Sequence, residues 1–427
     1  MSASLKRSLS LSAVVALGIN GVIGQGIFLL PGLAAGLMGP ASLVGVVLGA
    51  GLCFLIALCF AEVGSRFSDT GGAYVYAREA FGDFVGFEVG WMTCCVAVIS
   101  WAALANGFTL VLGHFVPAVT EGWHQPVTAI GLMVLLTLVN LRGAKQGAAV
   151  STFFSVAKLV PLVLFVSVGV FALDGDLYVP FAPQGYGDLA DTTILLLYAF
   201  VGFETLVVPA GEMDNPQRSV PLALMIVMAL VSVVYVAVLA VSIGTLPEIA
   251  GHANPVAAAS QNVLGPFGGT LVAAGIVLSV FGTNSGAALV SPRRFFAMAA
   301  RGDLPSALAR VNVQTGVPVN AVLVTMVLSA ILAATGTFAE LAALGVVARF
   351  LQYIPTCLAA IVLRRRGEAP SAGFRLPGGP VLPLLTVGLC VVLLANTAPD
   401  RILAGGVALL VGVPLYGLSR VTRAKAS

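Results

Sequence analysis

A chain of 427 residues that is 59% hydrophobic and 9% charged falls far below the roughly 25% charged content of an ordinary soluble domain. This composition excludes a soluble protein and indicates an all-α integral membrane protein. The formal net charge of +3 comes from residues scattered over many connections. That excludes a concentrated basic face, so no nucleic-acid partner is expected.

About 20 apolar residues suffice to cross about 30 Å of hydrocarbon. The first such stretch, 10–37, is interrupted by Gly21-Val22-Ile23-Gly24-Gln25-Gly26-Ile27-Phe28. Glycine costs a helix about 1 kcal/mol relative to alanine, so a cluster at membrane depth marks backbone opened toward a ligand. Further stretches follow at 41–64, 85–113, 126–142 and 149–173. The sixth, 190–211, comes after an acidic, proline-bearing connection from Asp174 to Asp191 and is interrupted by Phe200-Val201-Gly202-Phe203-Glu204. Six more lie at 219–245, 268–295, 319–336, 338–363, 381–396 and 402–419, giving about twelve transmembrane helices.

Breaks in helices 1 and 6 fit a 5+5 inverted repeat with its site near mid-membrane, the plan of a transporter. The first repeat is then 1–175, the second 186–366, and 380–427 adds two C-terminal transmembrane helices and a tail. Basic residues support alternate connections on one side. Lys6, Arg7, Arg66, Arg78, Arg142, Lys145, Arg218, Arg293, Arg294, Arg301, Arg310, Arg364, Arg365, Arg366, Arg375, Arg420, Arg423 and Lys425 are assigned to it. The opposite connections are acidic and carry only Arg401, so both termini are expected in the cytoplasm of a cell whose inner membrane holds the protein. The first apolar run exceeds the 7–15 residues of a signal-peptide core. The six cysteines fall in membrane segments without metal or disulfide spacing. Neither a cofactor motif nor an enzymatic constellation such as His-Glu-x-x-His is present, so an enzyme is not expected.

Four ordered motifs carry a family resemblance. Gly24-Gln25-Gly26-Ile27-Phe28 with Pro31-Gly32 resembles the first-helix signature of the amino acid–polyamine–organocation (APC) superfamily, and Phe200-Val201-Gly202-Phe203-Glu204 resembles its sixth-helix break. Asn215-Pro216-Gln217-Arg218-Ser219-Val220-Pro221 is similar to the loop that follows. Ser291-Pro292-Arg293-Arg294, with Met298-Ala299 and Gly302-Asp303-Leu304-Pro305, is similar to the loop after helix eight. The resemblance implies a LeuT-like fold and secondary, alternating-access transport of amino acids.

The chemistry of a broken helix agrees, because one break offers amides on one side and carbonyls on the other and can hold a zwitterion. The amides of Gln25, Gly26 and Ile27 are expected to receive a carboxylate, and carbonyls near Val22, Ile23, Phe200 and Val201 an ammonium. Gly202 belongs to the same site. Lys158 lies mid-way along the fifth helix, where a charge must find a partner or a cavity. The resemblance implies that its ammonium stands where sodium sits in sodium-coupled relatives. It could then exchange a proton during the cycle, act as a fixed cation in an exchanger or facilitator, or take no part.

Glu204 could titrate or tie loose backbone amides together. Arg349 is expected to pair with Glu88 or Glu204, and Glu62 with Arg66 at the surface, four residues on. Tyr198, Phe200, Phe203 and Phe281 are read as an aromatic wall. Thr283, Asn284 and Ser285 add neutral polarity, with Asn284 the chosen contact. With Glu204 as the one acid in reach, neutral amino acids fit better than arginine or polyamines, and protons better than sodium. A cationic amino acid or polyamine carrier and a non-transporting sensor remain the alternatives. The remaining expected partner is membrane lipid, and no partner subunit is legible.

Overall fold

The structure, a computed structural model, describes residues 9–113, 115–252, 254–366, 373–396 and 399–426. Helix α1 (Leu11–Val22) starts behind Ser10, whose hydroxyl accepts the Ala13 amide, and stops after 12 residues. Three residues later α2 (Gly26–Met38) resumes the run, so the glycine cluster breaks the helix where the sequence predicts. Then come α3 (Ser42–Gly64), a short α4 (Ala73–Phe81), α5 (Asp83–Leu112), α6 (His124–Leu141) and α7 (Ala144–Gly169). After α8 (Leu189–Phe200) follow α9 (Pro216–Thr245), α10 (Pro255–Ala300), α11 (Val319–Thr335), α12 (Phe338–Arg365), α13 (Val381–Ala395) and α14 (Pro399–Ala426). Within α10 the backbone turns non-helical at Gly265, and the predicted stretch from 268 is the part beyond this kink.

The apolar stretches read from the sequence fall on these helices, with one exception. The stretch 190–211 is α-helical only to Phe200. Gly202 takes a left-handed φ of +115°, and the chain continues through 3-10 turns at Phe203–Thr205 and Ala210–Glu212. Pro209 lacks an N–H for a helical ladder, and its ring opposes a helical path through the preceding turn. Helix ends also form the isolated parallel bridge between Leu9 and Met213. There the Leu9 amide donates to the Glu212 carbonyl at 2.9 Å, and the Asp214 amide donates to the Leu9 carbonyl at 3.1 Å.

Helix α5 packs against α10 and α12, α3 against α8 and α9, and α7 against α10 and α1. The broken elements α1, α2 and α8 are thereby held between α3, α7, α9 and α10, while α13 and α14 pack outside on α12. Seven helical stretches among the described residues are long and apolar enough to cross a membrane, from Leu11–Gly64 to Ile402–Arg420. Large apolar side chains such as Leu138, Phe153, Val233 and Leu410 face outward, as lipid contact requires. The protein is an integral membrane protein.

Two expectations about charge are corrected. Glu62 is fully buried, and although Arg66 approaches to 3.6 Å, its main partners come from far away in the chain. Arg364 reaches it with Nε at 2.6 Å and with Nη2, and the Leu376 amide donates at 3.0 Å. A surface pair four residues apart is therefore replaced by a buried junction of α3 with the end of α12. Arg293 and Arg294, read as loop residues, lie inside α10 and are buried. Arg293 makes a two-pronged pair with Glu212. Of the other basic markers, Lys6 and Arg7 lie outside the described residues, as do the side chains of Lys145, Arg401, Arg423 and Lys425. All six cysteines are free thiols in helices, five buried and Cys95 partly so, as packing residues should be.

Candidate functional site

The first break is built by four short-range hydrogen bonds. Ile23 N–H donates to the Ile19 carbonyl at 2.9 Å as the last bond of α1, and Gly24 N–H turns back to the Val22 carbonyl at 2.8 Å. The ladder of α2 restarts when Phe28 and Leu29 donate to the Gln25 carbonyl at 3.1 and 3.2 Å. Between these, the amides of Gln25, Gly26 and Ile27 meet no acceptor among the described residues. A helix start leaves such donors over and adds the positive end of its dipole. The three amides expected to receive a carboxylate are thus the ones left open.

The second break lies against the first. A Cβ at Gly26 would stand 2.9 Å from the Ala199 Cα, and one at Gly202 would collide with the Gly21 carbonyl oxygen. Only glycine lets the two backbones approach so closely while Gly202 holds its left-handed φ. Glu204 secures this irregular turn. Its carboxylate accepts the Gly202 amide at 2.9 Å, Arg349 Nε at 2.8 Å and the Tyr353 hydroxyl at 2.9 Å. Arg349 also donates to the Gly345 carbonyl and to Ser100 Oγ, both at 2.9 Å. Of the two acids expected to pair with Arg349, the partner is Glu204.

Between the breaks lies a cavity of about 80 Å³. Of the expected site residues, Val22, Gly24, Gln25, Gly26, Tyr198, Val201 and Gly202 line it. The Gln25 side-chain amide is buried with neither its nitrogen nor its oxygen hydrogen-bonded among the described residues, and Gly107 on α5 leaves the room that this amide occupies, because a Cβ there would collide with it. Sequence reasoning missed Ser100, Thr205, Ser291, Arg294, Gly286 and Gly345 in the wall. Among the described residues no carboxylate lines the cavity.

Lys158 is fully buried behind the break. Its Nζ donates to the Ile23 carbonyl, to the Asn20 carbonyl at 3.2 Å and to Thr283 Oγ1 at 3.0 Å. Ser279 and Thr283 hydroxyls also donate to the Ile23 oxygen, at 3.2 and 3.0 Å. Ile23 is thereby corrected from a ligand of substrate to a ligand of Lys158, its oxygen being already crowded with donors. The Val22 carbonyl likewise accepts the Tyr235 hydroxyl at 3.1 Å.

Four further assignments change because the side chains turn away from the cavity. Phe200 packs on Tyr235, and Phe203 stacks on Tyr353 and meets Phe60 edge-on. Phe281 packs between Phe108 and Phe154, which leaves Tyr198 as the ring of the predicted aromatic wall that lines the cavity. The Asn284 amide donates to the Leu104 and Val280 carbonyls at 2.9 Å, spending itself on the contact of α10 with α5. Ile27 is buried and is not among the residues that line the cavity.

Breaking a buried ion pair costs about 3–5 kcal/mol because the surviving charge is stranded. Glu204→Gln is therefore expected to lower the melting temperature of the purified protein markedly, and Arg349→Gln to do the same. The double substitution should cost less than the sum of the two. A Glu204→Gln protein of unchanged melting temperature that loses its response to a pH gradient would instead make the carboxylate a proton carrier.

A family model described as amino acid permease matches residues 9–408. The methylthioribose transporter of Bacillus subtilis (strain 168) is 29% identical, over 91% of this chain and 88% of its own length. Similar matches are the branched-chain amino acid permease BcaP of the same organism, 27% identical over 97% and 93%, and its serine/threonine exchanger SteT, 28% identical over 96% of each. The relatives are transporters, and none is an enzyme.

Proposed function

The chain belongs to the amino acid permease family, and from that premise we propose that it carries small or medium neutral amino acids by alternating access, with proton coupling. The observation that carries this reading is the set of open amides at Gln25, Gly26 and Ile27, beside a cavity that Gln25 and Gly26 line and that no acid among the described residues lines. The amides receive the substrate carboxylate. Its ammonium meets carbonyls of the second break, around Phe200 and Val201, since those of Val22 and Ile23 already accept donors. A side chain projects past Tyr198 and Gly202. Glu204 holds three donors of its own, so nothing in the wall attracts a cationic side chain, and arginine or polyamines fit poorly. Lys158, bonded to the carbonyls of the first break, stands where a coupling cation is needed and can alternate between charged and neutral forms.

In the same reading the chain crosses the inner membrane twelve times, with both termini in the cytoplasm. Residues 1–175 and 186–366 form an inverted repeat with the broken helices at corresponding places, and the helices after 380 stand outside it. A second reading, sodium-independent exchange, is favoured by the saturation of Lys158 with three acceptors, which suits a fixed cation. Counterflow in proteoliposomes against a panel of amino acids, amines and methylthioribose separates these. Exchange of neutral amino acids, accelerated by an imposed proton gradient but not by a sodium gradient, is expected. Counterflow with no response to either gradient would make it an exchanger, and absence of counterflow with any amino acid would remove the reading.

A further inference from the structure

The charges around the cavity do not balance. Arg349 and Glu204 neutralise each other, but Arg294 is 4% exposed and has no carboxylate partner among the described residues. Its Nη1 donates to the Thr93 carbonyl at 2.9 Å, while its Nε is buried without an acceptor. Arg294 lines the cavity together with Ser291, which lies about two turns beyond Thr283 on α10, and with Leu17 on α1. Leu17 lies before the break, so this end of the cavity points toward the start of the chain, away from the open amides of α2. A buried cation with spare donors calls for an anion, and guanidinium donors suit a carboxylate.

We propose that Arg294 forms a second carboxylate subsite, at the end of the cavity nearest the start of α1, where a substrate carboxylate is handed over after leaving the Gln25, Gly26 and Ile27 amides. The subsite rests on the transport reading given above. Because α10 runs from Thr283, bonded to Ile23 at the end of α1, to Leu289 and Val290, clustered with Leu17 nearer its start, Arg294 lies toward the start of α1 and the amides of the break lie past its end, so the two serve different stages of passage. Arg294 is a binding residue for the side of the membrane toward which α1 begins, and the amides serve both sides.

The test measures substrate KM separately at the two faces of oriented proteoliposomes, for the wild type, Arg294→Gln and Arg294→Lys. Losing one hydrogen bond to a charged group weakens binding by about ten- to a hundredfold. Arg294→Gln is expected to raise KM by that factor at the face where the chain begins and to leave the opposite KM within about twofold, with Arg294→Lys in between. Substitution strands no acid, since Glu204, the acid within electrostatic reach of Arg294, keeps Arg349, Tyr353 and the Gly202 amide, and the melting temperature checks this. Equal KM values in wild type and Arg294→Gln at both faces would overturn the subsite. A wild-type requirement for chloride that Arg294→Gln abolishes would also overturn it, by assigning the guanidinium to an inorganic anion. Failure of the wild type to move any amino acid would strike the transport reading instead, so the two failures are distinguishable.

Discussion

Lys158→Ala is expected to reduce uptake at least about a hundredfold, equivalent to about 2.7 kcal/mol in the transport step. The side chain is fully buried and holds two carbonyls of the first break and a hydroxyl of α10 on one ammonium. Each buried acceptor left without its donor costs about 1–3 kcal/mol, and the carbonyls of Asn20 and Ile23 sit at the end of α1, next to the open amides. The loss falls on the geometry of the substrate site and only secondarily on the fold, because α1 is also held by α9 and α10. Uptake with and without an imposed pH gradient, normalised to folded protein, checks this. Lys158→Arg divides the two roles: a guanidinium keeps the charge but does not release a proton. Retained exchange with lost gradient response is the expected result, and a full gradient response in Lys158→Ala would take the proton away from this residue.

The second large effect is at Gly26. Gly26→Val places a branched side chain where even a Cβ would lie 2.9 Å from the Ala199 Cα and 3.2 Å from its Cβ. Both contacts are with a helix, so relief requires α2 and α8 to separate, and the open amides move with α2. Overpacking of this kind costs about 1–3 kcal/mol in a soluble core. Here the same displacement also spoils the alignment of donors, and loss of uptake with retained membrane insertion is expected. Gly24 provides the contrast, since a Cβ there would meet only Thr283, at 3.6 Å. Gly24→Ala should keep most uptake, and Gly26→Val activity near that of Gly24→Ala would show that the approach of α2 to α8 is not part of the site.

These two residues also mark what the sequence could reveal. Glycines at membrane depth and a lysine mid-way along an apolar helix are costly enough to stand out one residue at a time, so the first break and Lys158 were legible. The course of the chain after Gly202 was not, because Phe203 to Val208 reads as apolar helix and only Pro209 warns against it. Nor was the direction of a side chain around a helix that is apolar on every side, which is why Asn284, Phe200, Phe203 and Phe281 were assigned to a cavity they do not line. Glu62 eluded local reasoning because its principal partner, Arg364, is 302 residues away. Arg294 was hidden by its neighbour: a pair of arginines beside a proline reads as a cytoplasmic loop, whereas α10 continues through both.

The pairing of Leu9 with the strand-like residues 212–214 sets a mechanical condition on any motion of α1. Two backbone hydrogen bonds fasten the start of that helix to the segment that follows the second break, and Glu212 in that segment is clamped by Arg293 of α10. The first helix therefore has no independent pivot at its outer end: swinging it either shears both backbone bonds or drags the irregular segment along. The two halves of the chain are coupled there as a linkage, so that the end of the cavity beside Leu17 opens only when both move or both let go.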